Sequence, residues 1–177
     1  MPKPVTQDQT VEAVNLTLVE MKPEGNPIAS LDTDALSDPA WSCNNFSPTL
    51  LEKVCAVTGF PEGALNTTKY AQGAALPNSF ADGSFVNISM TGDPSALNHN
   101  FNILVSGGTT YLMEAFLNYA VRIVQSFDNE RFITLWQNLS NNVDWQGAYA
   151  ELFGVAPSSV VQDPPEDTWL TSQYVTQ

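Results

Sequence analysis

Hydrophobic and polar positions divide the chain into an N-terminal part with few regular elements and a later part rich in strands. In residues 11–21, apolar side chains recur at every second position, which predicts a strand, and residues 1–10 before it predict a loose tail. Residues 22–41 are dense in Pro, Gly, Asp and Ser and predict a loop. The first helix is therefore expected only after this loop.

That first predicted helix spans about residues 47–58. Its apolar positions follow helical spacing and form a stripe wide enough to bury, with Cys55 on the stripe. Ser47 is a suitable N-cap, Pro48 suits the first helical position, and Gly59 is a stop signal. We expect Cys55 to pack in the core.

The later part of the chain predicts an antiparallel sheet followed by two helices. After a turn-like stretch at 61–83, apolar runs predict strands at about 85–90, 99–105, 110–116 and 119–125. Asp128 and Asp144 then precede two stretches with helical spacing. Residues 156–177 are Pro-rich and acidic, and they predict an extended arm that lies on the domain.

Together these elements predict a single α+β domain over residues 11–155. An N-terminal cysteine-bearing helix packs on an antiparallel sheet of about four or five strands, and two helices follow the sheet. The length of 177 residues is sufficient for one core of ordinary size.

The charge balance argues against two classes of partner. Six Lys and Arg against 19 Asp and Glu give a net charge of −13, which would repel a nucleic-acid backbone or an anionic lipid surface. No apolar run reaches the length of a membrane span and the N-terminus has no signal-peptide pattern. We therefore expect no nucleic-acid partner, no membrane insertion, and a protein that is cytoplasmic or exported without a cleaved signal peptide.

The composition also limits metal and cofactor chemistry. One histidine and two separated cysteines offer no paired ligand spacing for a metal, and no Gly-rich loop followed by lysine predicts a nucleotide site. We expect no cofactor and no metal. Two cysteines are too few for a disulfide scaffold, so Cys43 and Cys55 are expected to be reduced.

The only histidine lies at the open end of a predicted hairpin. If Gly107 and Gly108 form a two-residue turn, which such pairs favour, His99 lies opposite Phe116. Glu114, two residues from Phe116, then points to the same face and is the diagonal neighbour of His99. The register predicts a hydrogen bond between the imidazole and the carboxyl group at the edge of an apolar surface.

A histidine oriented by an acid is typical of a general base, and a base needs a nucleophile. Cys43 lies near a helix start, where the helix dipole and an imidazolium both stabilise a thiolate. Trp41 is predicted to lie in the core or to form the wall of a substrate cleft. For the oxyanion, the candidates are backbone N–H groups or Asn44, or a glutamine from the N-terminus, Gln7 or Gln9, that folds back.

The order of cysteine, histidine and acid resembles the papain-like and transglutaminase-like superfamily, which includes bacterial toxin and effector deamidases and proteases. The segments that carry the resemblance are "WSCNNF…LLEKVCAVTGFP" and "HNFNILVSGGTTYLMEAF", within residues 41–140. It implies catalytic roles for Cys43, His99 and Glu114. The chain differs from the family pattern in having Glu as its third member, in Pro48, and in a cysteine predicted to precede its helix.

The function expected from the residues and the resemblance is that of a cysteine-dependent amide acyl hydrolase or acyl transferase. A protease, a glutamine deamidase and a transglutaminase share the thioester intermediate, and their substrate is a protein or peptide. The first alternative is a non-enzymatic acidic binding protein of the inhibitor or immunity type, which docks on a basic protein. The second is a catalytically inactive member of the same fold.

Overall fold

The structure, a computed structural model, describes residues 3–157 and 163–173 of the chain. Its helices are α1 (Gln7–Met21), α2 (Cys43–Thr58), α3 (Asn129–Ser140) and α4 (Trp145–Phe153), with one 3-10 turn at Glu62–Ala64. Its strands are β1 (Asn66–Ala71), β2 (Phe85–Thr91), β3 (His99–Ser106), β4 (Thr109–Met113), β5 (Val124–Asp128) and β6 (Asp167–Ser172). Within the described residues, no helix is both long and apolar enough to cross a membrane.

The strands form one antiparallel sheet in the order β1-β6-β2-β3-β4-β5. Side chains along the strands point alternately to the two faces of the sheet, and each face belongs to a separate hydrophobic core. One face packs with α1 and α2 and includes Phe85, Leu104 and Tyr111. The other face packs with α3 and α4 and includes Ile103 and Leu112. The α+β class and the cysteine-bearing helix ahead of the sheet are confirmed, with six strands instead of four or five.

The N-terminal strand prediction is wrong, because residues 7–21 form helix α1. The period-two reading rested on Val14, Leu16 and Leu18, but 43% of Leu16 is exposed. The buried residues recur at helical spacing and are Thr10, Ala13, Val14, Thr17 and Leu18. Two of them are threonines, which are polar, so the pattern of apolar residues in the sequence does not show the helical spacing. Thr6 and Gln9 form a capping box, so part of the predicted loose tail belongs to the helix start.

Helix α2 begins four residues earlier than predicted, at Cys43. Ser42 is the N-cap, and its backbone N–H donates to Oδ1 of Asn45 at 3.0 Å. Pro48 therefore lies inside the helix, where it removes one backbone hydrogen bond, and Ser47 is buried and not a cap. Cys43 is therefore the first residue of the helix and does not precede it.

The predicted hairpin is confirmed in its turn and register. Gly107 and Gly108 have φ angles of 60° and 82°, which a turn of this kind requires, and Ser106 pairs with Thr109. Strand β4 ends at Met113, however. The strand predicted at 119–125 is wrong in position, since β5 starts at Val124.

Two strands were missed in stretches that lack apolar alternation. Strand β1 falls in the predicted turn region, and five of its six side chains are exposed. Strand β6 falls in the predicted C-terminal arm and pairs with β1 on one side and β2 on the other. Part of that arm is therefore an internal strand of the sheet, whereas residues 158–162 and 174–177 lie outside the described residues.

Candidate functional site

His99 and Glu114 form a buried hydrogen-bonded pair at one end of the sheet. His99 is the first residue of β3, and Glu114 follows the last residue of β4. The imidazole Nε2 lies 3.1 Å from Oε1 of Glu114, and the two side chains are 1% and 0% exposed. The predicted hydrogen bond is therefore confirmed. The backbone N–H of Glu114 donates to the carbonyl of Ile123 at 3.0 Å, which fixes the acid beyond the strand end.

Three phenylalanines enclose the imidazole ring. Phe116 stacks on it with 4.3 Å between ring centroids, although Phe116 follows the end of β4 and is not paired with His99. Phe153 of α4 meets it edge-on at 4.7 Å, and Phe101 lies at 5.8 Å. The rings fix the plane of the imidazole and exclude water from it.

This burial disfavours charge on both members of the pair. Desolvation lowers the pKa of His99 from 6.5 to about 3 and raises the pKa of Glu114 well above 4.5. Nδ1 of His99 and Oε2 of Glu114 are buried and have no hydrogen-bond partner among the described residues. The pair thus keeps one unused imidazole nitrogen and one unused carboxyl oxygen.

Cys43 lies at the half-buried start of α2, near enough to the pair for the charge of Glu114 to affect its thiol. Desolvation raises the pKa of the thiol, and the charge of Glu114 adds to the increase. The backbone N–H groups of Asn100, Cys43 itself and Asn44 act in the opposite direction and lower this pKa. Desolvation has the largest effect, so the sulfur is protonated at neutral pH.

The backbone of Asn100 connects the cysteine helix to the histidine strand. The last pair between β3 and β4 is Asn102–Met113, so β4 does not bond the first residues of β3. Instead, the carbonyl of Asn100 accepts a hydrogen bond of 2.7 Å from Ser47 Oγ, and its N–H is near enough to Cys43 to lower the pKa of the thiol. The structure thus brings Cys43 to the residue that follows His99, without a hydrogen bond between the thiol and Nδ1.

Tyr149 of α4 belongs to this cluster and was not predicted as a site residue. Its side chain is fully buried, and its hydroxyl has no hydrogen-bond partner within the described part of the chain. Burial raises its pKa, and the charges of Glu114, Tyr119 and Cys43 raise it further. The available sequence signal was a tyrosine on the buried face of a short apolar helix, where its hydroxyl needs a partner.

The remaining predicted site residues lie at varying distances from the cluster. Asn44 is exposed, with Oδ1 3.7 Å from the sulfur of Cys43. Trp41 packs in the core against Phe46 and also lines a groove of about 480 Å³ between α1 and the loop before α2, which Cys43 does not line. Gln7 bonds Ser106 at the far end of β3, and Gln9 bonds Thr6 in the α1 cap, so neither folds back to the cysteine.

Comparisons with known proteins leave the family undetermined. No protein-family model matches this chain, and no curated protein or solved structure matches it significantly. The functional interpretation therefore depends on the geometry of the site.

Proposed function

We propose that this protein is a cysteine-dependent amide acyl hydrolase or acyl transferase that acts through a thioester intermediate. Cys43 is the nucleophile, His99 the general base, and Glu114 the acid that orients His99. The observation that carries the proposal is the buried hydrogen bond between His99 and Glu114 beside a thiol at a helix start. The resemblance of the cysteine and histidine segments to papain-like and transglutaminase-like proteins agrees with this function.

In the proposed mechanism the two imidazole nitrogens have separate tasks. Because Glu114 engages Nε2, the free nitrogen Nδ1 is the one that can accept the thiol proton. A pKa of about 3 keeps His99 deprotonated at neutral pH, so a base is always present. The raised pKa of Cys43 means that the thiolate forms during attack and not in the resting protein.

The proposed reaction has two halves. The S–H proton passes to Nδ1 while the sulfur forms a bond to the carbonyl carbon of the amide. The carbonyl oxygen takes the electron pair of the C=O π bond and becomes negatively charged. The C–N bond then breaks, and the leaving nitrogen takes the proton from Nδ1, which leaves a thioester on Cys43. Water or an amine attacks this thioester, with His99 again accepting the proton, and the thiol is regenerated.

The binding-protein alternative is less consistent with the site. An acidic protein that only docks on a basic partner gives no reason for Cys43 to lie near His99, yet both Asn100, which follows His99, and Glu114 affect the pKa of the Cys43 thiol. Buried polar atoms without partners lower stability, so a purely structural cluster would be better built from apolar residues. A protein or peptide amide is the proposed substrate class, with Trp41 and Asn44 as proposed substrate contacts.

Acylation by p-nitrophenyl acetate tests the proposal without a known substrate. We expect a burst of nitrophenol close to one equivalent, and one acetyl group on Cys43 in the intact and peptide mass spectra. Cys43→Ala should abolish both signals. Cys55→Ala is the matched control, because this second free thiol is buried in α2, and it should leave the burst unchanged. Acetylation that persists in Cys43→Ala or spreads over lysines would contradict the proposal.

Fate of the acyl group separates the possible reactions. Casein serves as the test substrate. A deamidase should release ammonia from it, and a protease should generate new amino termini. A transglutaminase should attach added glycine ethyl ester to the casein. Each product should disappear in Cys43→Ala. A Cys43 that acetylates yet gives none of the three in a broad set of peptides would favour the inactive-fold alternative.

A further inference from the structure

The hydroxyl of Tyr149 is the one polar group of the cluster that the proposed reaction leaves without a task. It is fully buried, has no hydrogen-bond partner, and lies close enough to Cys43 and Glu114 for their charges to affect it. Its ring is held edge-on by Trp145 at 6.2 Å and by Phe153 at 5.3 Å between centroids. Phe153 also contacts His99, so Tyr149 belongs to the same packed unit.

We propose that Tyr149 is the oxyanion donor of this site: its O–H bonds the carbonyl oxygen of the substrate as that oxygen gains negative charge during attack by Cys43. The inference rests on the proposed acyl chemistry and adds to it the group that stabilises the tetrahedral intermediate.

Acyl transfer by Cys43 needs a hydrogen-bond donor for the oxygen of its tetrahedral intermediate, and removal of one such donor from an enzyme slows the reaction about 10²–10³-fold. The two upstream glutamines bond elsewhere, Gln7 to Ser106 and Gln9 to Thr6. The side chain of Asn44 is exposed, where water competes for its amide. Tyr149 is a neutral donor within electrostatic range of Cys43, and its hydroxyl has no hydrogen-bond partner among the described residues.

The surroundings of Tyr149 also keep it a donor. Burial in an apolar pocket disfavours the phenolate, so the O–H proton is retained throughout the neutral range. A buried hydroxyl without a partner is a cost to folding. A substrate oxygen that arrives between Cys43 and Tyr149 supplies that partner, and its bond strengthens as charge develops.

Two reactions of the same thiol separate this role from a structural one. Acetylation by p-nitrophenyl acetate passes through an oxyanion, whereas alkylation by iodoacetamide does not. We expect Tyr149→Phe to slow acetylation of Cys43 about 10²-fold and to leave its alkylation rate unchanged across pH. Tyr111→Phe is the matched control, since Tyr111 is a largely buried tyrosine on the opposite face of the sheet, and both rates should match wild type.

The other outcomes overturn the inference in distinguishable ways. Equal slowing of both reactions would mean that Tyr149 positions or activates Cys43, and no change in either would mean that it only packs. If wild type itself is not acetylated on Cys43 although iodoacetamide labels it, the proposed function fails first and the inference fails with it.

Should Tyr149→Phe not fold, 2,3,5-trifluorotyrosine at position 149 keeps the shape and lowers the phenol pKa. Acetylation should then decline, relative to alkylation, as pH rises and the fluorinated phenol ionises. Parallel pH profiles for the two reactions would overturn the inference.

Discussion

Two buried polar clusters lie on opposite faces of the same strand end, and they differ in how completely their hydrogen bonds are made. On the α1/α2 face, Asn87 donates to the side-chain oxygens of Asn100 and Asn102 at 2.6 and 2.9 Å. Asn102 in turn donates to the carbonyl of Ser47 at 2.9 Å, and the Ser47 hydroxyl donates to the carbonyl of Asn100. This asparagine cluster ties α2 to the sheet.

On the α3/α4 face, the cluster of His99, Glu114 and Tyr149 contains one hydrogen bond and three unpartnered polar atoms. Adjacent residues of β3, His99 and Asn100, thus serve opposite environments because strand side chains alternate. A satisfied network stabilises the fold, whereas an unsatisfied one destabilises it and marks a candidate site of chemistry. We therefore expect substitutions in the asparagine cluster to lower stability and substitutions in the His99 cluster to lower the reactivity of Cys43.

The largest expected effect is on reactivity. His99→Gln retains a hydrogen-bonding group toward Glu114 but removes the base, and we expect acetylation of Cys43 near neutral pH to fall about 10²–10⁴-fold. The free energy of unfolding in urea should change little, because the wild-type pair already leaves buried polar atoms without partners. A loss of several kcal/mol with normal acetylation of the folded protein would reverse the assignment of the two faces.

The asparagine cluster should show the opposite behaviour. Asn102→Ala leaves the Ser47 carbonyl without its side-chain donor and removes an acceptor from Asn87, so we expect about 2–3 kcal/mol of lost stability in urea unfolding. Acetylation per folded molecule should match wild type. A stability change below about 0.5 kcal/mol would show that the network is not what ties α2 to β3.

The dependence of stability on pH sharpens the comparison further. The pKa of His99 is depressed, so stability rises with pH from about 3 to 6.5, where only the unfolded chain is protonated at this residue. The pKa of Glu114 is raised, so stability falls as pH increases above 4.5, where only the folded protein holds that proton. Just above pH 4.5 the two slopes therefore have opposite signs.

Glu114→Gln removes only the second of these slopes. The stability of wild type relative to this variant should therefore fall by about 1.4 kcal/mol per pH unit above 4.5, until the raised pKa of Glu114 is reached. Urea unfolding from about pH 5 to pH 8 measures this difference. A difference that does not change with pH would mean that Glu114 is ionised in the folded protein.

The smallest effect compares one serine on each face. Ser47→Ala removes the hydroxyl that donates to Asn100, and we expect a loss of about 1 kcal/mol. Ser140→Ala is the matched control, because the Ser140 hydroxyl in α3 is buried without a partner, and its removal should be neutral or slightly stabilising. Thermal unfolding of both variants gives the difference, and equal losses would contradict the distinction.

The sequence predicted the His99–Glu114 pair better than the ends of the fold, for physical reasons. A Gly-Gly turn fixes the register of β3 and β4, and this register directs His99 and Glu114 to the same face beyond the last strand pair. Strand β1 offered no such signal, since its mostly exposed polar side chains pair through the backbone only. Strand β6 depends on pairing with β1 and β2, which lie far from it in sequence.

Helix boundaries failed where two local signals competed. Ser42 and Ser47 are both possible caps, and Pro48 favoured the second, but burial of Ser47 against Asn100 made the earlier start the stable one. Tyr149 was missed as part of the site because its role depends on how α4 packs over His99. Long-range packing of this kind is not encoded in the spacing of residues along the chain.

The pH dependence of Cys43 acetylation in wild type and His99→Gln tests the central claim most directly. If neutral His99 removes the thiol proton during attack, the wild-type rate should be nearly constant from about pH 5 to pH 8, because the His99 pKa lies near 3 and that of the thiol lies above its ordinary value. The variant depends on thiolate, so its rate should increase about tenfold per pH unit. Rates that rise in parallel in both proteins would show that His99 takes no proton from Cys43 and would contradict the account.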